Sequence, residues 1–186
     1  MGSYAVFLRG INVGGINIKM ADLRKALEAC GFADAKTLLA SGNVVLTSTL
    51  DADAVKRECE KCLRGAFGYE AWVVVLDAAR VAELVAACPY PADDKSTHSY
   101  ITLSSDRTVL DELEAAGTAL DGTTLQRLGP EALAWLAPAG GTLDSPFSKL
   151  LAKAGFKAAT TTRNLRTLVK VRDAAAGLTA PPSVQR

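Results

Sequence analysis

Histidine occurs once in this chain of 186 residues, at position 98. A single imidazole argues against multi-histidine metal centres, and His98 has no partner in sequence for nucleophile–base catalysis. Neither a G-x-S-x-G elbow nor an H-E-x-x-H stretch is present. No apolar run approaches the ~20 residues a membrane helix needs. Met1 to Arg9 reads as a strand pattern and lacks a charged leader before an apolar core, so no secretory signal is expected and the cytoplasm is the default location. The formal charge is +1, which removes any whole-protein field for nucleic acid or anionic membrane, although a local patch stays open. Nothing in the sequence specifies an oligomeric state.

Four cysteines are present: Cys30, Cys59, Cys62 and Cys88. In a cytosolic chain of this size they are expected as reduced thiols. Cys59 and Cys62 form a C-x-x-C, but Val55, Cys59, Cys62 and Leu63 share one helical face, so both thiols are expected in the core. Without a second C-x-x-C or a nearby histidine, neither a metal site nor a cofactor is expected. Asp93-Asp94 and Asp51/Asp53 fall in a linker and a helix cap, where paired carboxylates suit loops better than acid–base chemistry. Trp72 and Trp135 each fall on an expected strand and read as core.

Hydrophobic residues make up 49% of the chain, enough for an ordinary globular core. The pattern predicts a strand over 4–8, a Gly- and Asn-rich loop over 9–18, and a helix over 20–30 capped by Gly31. Strands over 35–40 and 44–47 follow, joined by Ser41-Gly42-Asn43. A helix capped by Asp51 or Asp53 runs to about Ala66, and a strand covers 71–76. Asp77 to Cys88 reads as an extra helix and Pro89 to Ser96 as a linker. The order then repeats: strand 98–103, helix 106–116, strands 123–128 and 132–136, and a helix from Ser145-Pro146 to Ala154 ended by Gly155. A closing strand is expected over 157–160 and a last helix from Arg163 to about Ala175, with Thr161 or Thr162 as its cap. The expected fold is α+β, two tandem ferredoxin-like (βαββαβ) halves with a C-terminal helix. The expected divisions are 1–88, 97–176 and a loose tail over 177–186.

The stretch Arg9-Gly10-Ile11-Asn12-Val13-Gly14-Gly15-Ile16-Asn17-Ile18-Lys19 lies between a strand and a helix, where glycines let backbone N–H groups converge on an anion. It is neither a Walker loop nor a dinucleotide fingerprint. Spacing alone leaves two readings open, an anion site and a loop whose glycines permit positive φ. A second signal is basic: from Ser145 to Arg172 there are seven cations and no carboxylate. Arg163 and Asn164, in the first turn of the expected last helix, could face an anion together with free N–H groups. The other reading is a solvated helix face.

Leu8-Arg9-Gly10-Ile11-Asn12-Val13-Gly14-Gly15, then Met20-Ala21-Asp22-Leu23-Arg24, Gly31-Phe32 and Ser41-Gly42-Asn43-Val44-Val45, resemble the bacterial domain-of-unknown-function 1697 family. The resemblance extends to Pro146-Phe147-Ser148-Lys149 and to Thr161-Thr162-Arg163-Asn164-Leu165-Arg166-Thr167, where Leu165-Arg166 replaces the family's Trp-Asn. It implies tandem ferredoxin-like folds and an unestablished function. The polar set carried over from it is Arg9, Asn12, Ser41, Asn43, Lys149, Arg163 and Asn164. With Gly14, Gly15, Lys19 and Thr162 from the residue patterns, these are the candidate ligand-binding residues. The leading expectation is binding of a phosphate-bearing or other anionic ligand, a nucleotide or metabolite. Alternatives are an enzyme acting on a small anionic metabolite and a protein-interaction module without small ligand. A nucleic acid is a weaker partner, because aromatics on the strands are few: Tyr4, Phe7, Trp72 and Tyr100.

Overall fold

The computed structural model describes residues 1–11, 17–92 and 94–179. Among them the chain is α+β, with two four-stranded antiparallel sheets and seven α-helices. It divides into two compact units, one of residues 1–82 and 170–186, the other of residues 83–169.

In the first unit, β1 (Gly2–Leu8) leads through the glycine-rich stretch to α1 (Met20–Ala29). Next come β2 (Lys36–Leu38), β3 (Asn43–Ser48), α2 (Ala52–Phe67) and β4 (Val73–Asp77). The strands lie in the order β2-β3-β1-β4. Strand alternation sends Tyr4, Val6 and Leu8 to one face, where they meet Val44, Leu46 and Val73 and the buried Leu23, Leu27, Val55 and Leu63 of the helices. The opposite face holds Ala5, Phe7, Val45 and Val74, all essentially inaccessible. Asp51 caps α2 by accepting from the Ala54 N–H (2.8 Å), and Gly68 ends it at φ 65°.

α2 buries Val55, Cys59, Cys62 and Leu63, the face the sequence spacing predicts. The thiols correct one expectation. Cys62 is bonded to Cys30, which follows α1, with Cα atoms 6.2 Å apart. Helical period fixes which face Cys62 occupies but says nothing of what a neighbouring helix presents to it. Cys59 remains a buried free thiol, and burial pushes its pKa up to about 12.

α3 (Ala78–Ala87) leads to β5 (Thr97–Leu103), α4 (Arg107–Thr118), β6 (Leu125–Gly129) and β7 (Ala132–Pro138). Then follow α5 (Pro146–Leu151), α6 (Ala154–Ala159), β8 (Thr161–Asn164) and α7 (Leu165–Thr179). The second sheet has the order β6-β7-β5-β8, the same relation to chain order as the first. Its core is aromatic. Trp135 stacks on Tyr100 (4.7 Å between centroids) and meets the edge of Phe147 (5.1 Å). The indole N–H donates to Thr102 Oγ1 (3.0 Å), so burial leaves no polar group unpaired there.

Three expected boundaries near the end of the second unit are displaced. The helix that Ser145 caps stops at Leu151, and Gly155 sits inside α6 instead of ending a helix. The expected strand over 157–160 is largely α6. The closing strand is Thr161–Asn164, so Thr161 and Thr162 are strand residues and cap nothing. β-branched side chains suit a pleated surface, and antiparallel pairing with β5 prevails over the capping capacity of the threonine hydroxyls. Asn164 makes the turn into α7, its Oδ1 accepting from the Arg166 N–H (2.9 Å). Most of the expected tail, residues 180–186, lies outside the described residues.

Candidate functional site

The strongest polar corner is one end of the first sheet, where the chain leaves β1, turns between β2 and β3, and enters β4. Leu8 N–H donates to Gly42 O (2.8 Å) and Arg9 N–H to Trp72 O (3.1 Å), so the root of the glycine-rich stretch is tied on both sides. Gly42 has φ 72°, and a Cβ there would lie 2.5 Å from Ile11 Cδ1. Glycine at this position therefore serves both the turn and the close approach of Ile11. Leu39 completes the turn at φ 58°, a conformation that costs a non-glycine residue about 1 kcal/mol or more. Asn43 is fully buried and donates through Nδ2 to Leu38 O (2.9 Å) and Ser41 Oγ (3.0 Å). These bonds occupy the Asn43 amide in the turn, while Ser41 is exposed.

Four side chains line the other flank. The Arg9 guanidinium lies 5.9 Å from the centroid of Trp72, within cation–π range. Burial raises the Tyr69 pKa and the Arg9 charge lowers it, which places phenol and guanidinium in one electrostatic neighbourhood. Tyr69 Oη is buried without a hydrogen-bond partner among the described residues. Lys56 Nζ approaches Trp72 to 4.9 Å, yet it is already engaged: it pairs with Glu60 and donates to Val73 O (2.7 Å). Glu60 also accepts from Val73 N–H (3.1 Å), so Lys56 and Glu60 clamp α2 to the first residue of β4. Lys56 is thus chiefly a structural tie.

The sequence candidates separate accordingly. Arg9, Ser41 and Asn43 come together at this sheet end. Asn12, Gly14 and Gly15 lie outside the described residues. Lys19 is exposed at the start of α1 and makes no side-chain cap. In the second unit, Lys149 is an exposed residue of α5. Thr162 Oγ1 pairs with Thr102 Oγ1 (2.8 Å). Arg163 does not stand in a helix start: it lies on β8 opposite Ile101, is 6% exposed, and bonds Thr161 Oγ1 (2.7 Å) and Thr162 O (2.9 Å). Burial lowers its pKa to about 10, which leaves it a cation at neutral pH. Asn164 is committed to the turn into α7.

Sequence reading missed Lys56, Tyr69 and Trp72. Trp72 precedes β4 and is half-buried, not core. A Tyr-x-x-Trp before a strand carries no signal by itself, and only the tertiary fold brings it to Arg9. Conversely, Tyr4 and Phe7 are buried, and half-buried Tyr100 has one ring face stacked on Trp135. Among the described residues no group of three or more histidine, cysteine or carboxylate side chains could hold a metal, and no helix is long and apolar enough to cross a membrane.

Residues 1–128 match the family described as Protein of unknown function (DUF1697), and the chain belongs to that family. Its fold is similar to that of the conserved bacterial protein SP0830 from Streptococcus pneumoniae, with a TM-score of 0.79 at 20% identity, over 95% of this chain and 99% of that one. No curated protein matches the chain.

Proposed function

We propose that this DUF1697 member binds a small phosphate-bearing or carboxylate ligand at the end of its first sheet, over the root of the glycine-rich stretch. The observation that carries this reading is the grouping of Arg9, Trp72 and the buried Tyr69 hydroxyl where that stretch leaves β1. Arg9 supplies a planar, permanently charged donor for an oxyanion. Tyr69 adds a neutral hydroxyl, and Trp72 forms an apolar wall that lowers the local dielectric and strengthens both. Glycines 10, 14 and 15 suit a loop whose backbone N–H groups approach an anion.

We further read each half as ferredoxin-like, supported by the repeated strand order and the βαββαβ succession of elements, and the protein as bacterial and cytoplasmic. The fold by itself implies no activity. The basic stretch of the second half contributes less to this reading: Lys149, Lys153, Lys157 and Arg166 are exposed, as a solvated surface would have them.

A thermal-shift screen against nucleotides, phosphosugars and carboxylates tests the reading. A ligand at about a hundredfold over its Kd adds roughly 2.7 kcal/mol to the folded state. The expected result is a raised midpoint for one anionic class, lost in Arg9→Ala and kept in Arg166→Ala. A flat screen, or a shift that Arg9→Ala leaves unchanged, would contradict it.

A further inference from the structure

The glycine-rich corner leaves the opposite feature of the first unit unused: the Cys30–Cys62 disulfide between α1 and α2. Its two sulfur-bearing residues differ in access. Cys30 follows the last turn of α1 and is exposed, whereas Cys62 is 7% exposed within α2. The bond borders an open groove of about 430 Å³ whose walls include Ala26, Ala29, Gly65 and Ala66. These four residues are small, the longer Glu58 and Lys61 on the same groove are exposed to solvent, and a Cβ added at Gly65 would meet nothing within 4 Å. A molecule the size of a tripeptide thiol therefore has a route to Cys30 that bulky helix residues would close.

We propose that Cys30–Cys62 is a thiol–disulfide exchange site, at which a low-molecular-weight thiol attacks Cys30 from this groove and releases Cys62. In the first step the incoming thiolate forms a bond to Cys30 Sγ, the Cys30–Cys62 bond breaks, and Cys62 leaves as a thiolate that takes a proton from water. In the second step another thiolate attacks the incoming sulfur of the mixed disulfide, which releases Cys30 and one disulfide of the small thiol. Two small thiols are thereby oxidised and the protein disulfide is reduced to two thiols. Cys59, one turn from Cys62, does not compete as a nucleophile, because burial holds it protonated far above neutrality. The proposal stands apart from the anion reading, since none of its residues belongs to that corner.

The test uses the full chain, folded and without denaturant, equilibrated with glutathione at graded ratios of reduced to oxidised form, quenched with acid, alkylated and read by peptide mass spectrometry. Cys30 and Cys62 are expected to become alkylated together as reduced glutathione rises, while Cys59 stays unlabelled. In Cys62→Ser, oxidised glutathione is expected to leave one adduct, on Cys30. Three results would overturn the proposal, and all can be read on the unmutated protein. Both cysteines could remain free thiols under oxidised glutathione; the disulfide could persist until denaturant is added; or the trapped adduct could sit on Cys62.

Discussion

The two halves share a strand order and handle tryptophan in opposite ways. In the second half Trp135 is 2% exposed at the centre of a Tyr100–Trp135–Phe147 stack, with its N–H satisfied by Thr102. In the first half Trp72 stands outside the core, half-buried and flanked by Arg9 and Lys56. One indole fills volume; the other lines a charged corner. The same topology can therefore give structural weight to one tryptophan and leave the other available at a surface, and the neighbours rather than the strand position decide which.

The sharpest way to break this contrast is to truncate both rings. Trp135→Ala is expected to cost about 3–5 kcal/mol in urea unfolding, the range for a buried aromatic. Trp72→Ala should cost about 1 kcal/mol. Comparable losses would mean that Trp72 is a core residue after all. The halves differ also in their covalent tie, because among the described residues the first is stapled through Cys30–Cys62 and the second holds no disulfide. Closing a loop of this length is worth about 3 to 4 kcal/mol in the chain-entropy view. Reductant should lower the stability of the oxidised protein by that amount and leave Cys30→Ser unaffected.

A helical glycine in each half gives the next comparison. In α4, a Cβ at Gly117 would lie 2.5 Å from Phe147 Cε2 and 2.7 Å from Leu125 Cδ1. Gly117→Ala should destabilise by about 1–3 kcal/mol despite alanine's better helix propensity. In α2, Gly65 faces open space, so Gly65→Ala should stabilise by about 0.5–1 kcal/mol. Equal signs in the two melts would contradict the packing described for the second half. The last comparison is electrostatic and confined to alkaline pH. The Cys59 thiol is raised from 9.0 to about 12 in the folded state, so the unfolded chain loses its proton first as pH rises. Its contribution is whole below pH 9 and is lost as pH climbs toward 12. Stability measured across that window should fall less steeply in Cys59→Ala than in the parent protein.

Much of the architecture was legible from local patterns. Leu23 and Leu27 of α1, the four buried residues of α2 and the caps at Asp51 and Ser145 all follow from helical spacing and capping chemistry. Reading failed where two local preferences competed. Thr161 and Thr162 can cap a helix or join a strand, and only the open edge of β5 decides between them. It also failed where a contact joins segments far apart in sequence. The Cys30–Cys62 bond spans 32 residues, and Trp72 meets Arg9 and Lys56, with Tyr69 beside Arg9, only once α2 and β4 are in place. Arg163 shows the converse: its basic neighbours in sequence suggest a surface, but β8 carries it inward.

If the Arg9–Trp72 corner receives an anion, as proposed, Trp72 itself can report it. Tryptophan emission should be followed while inorganic pyrophosphate, then nucleotides and phosphosugars, are titrated into the protein and into its Trp72→Phe and Arg9→Ala variants. The expected result is a saturable change for one anionic class in the parent protein, absent in Trp72→Phe and shifted at least about tenfold in midpoint in Arg9→Ala, the equivalent of about 1.4 kcal/mol. No change with any of these ligands, or a change that survives in Trp72→Phe, would contradict it.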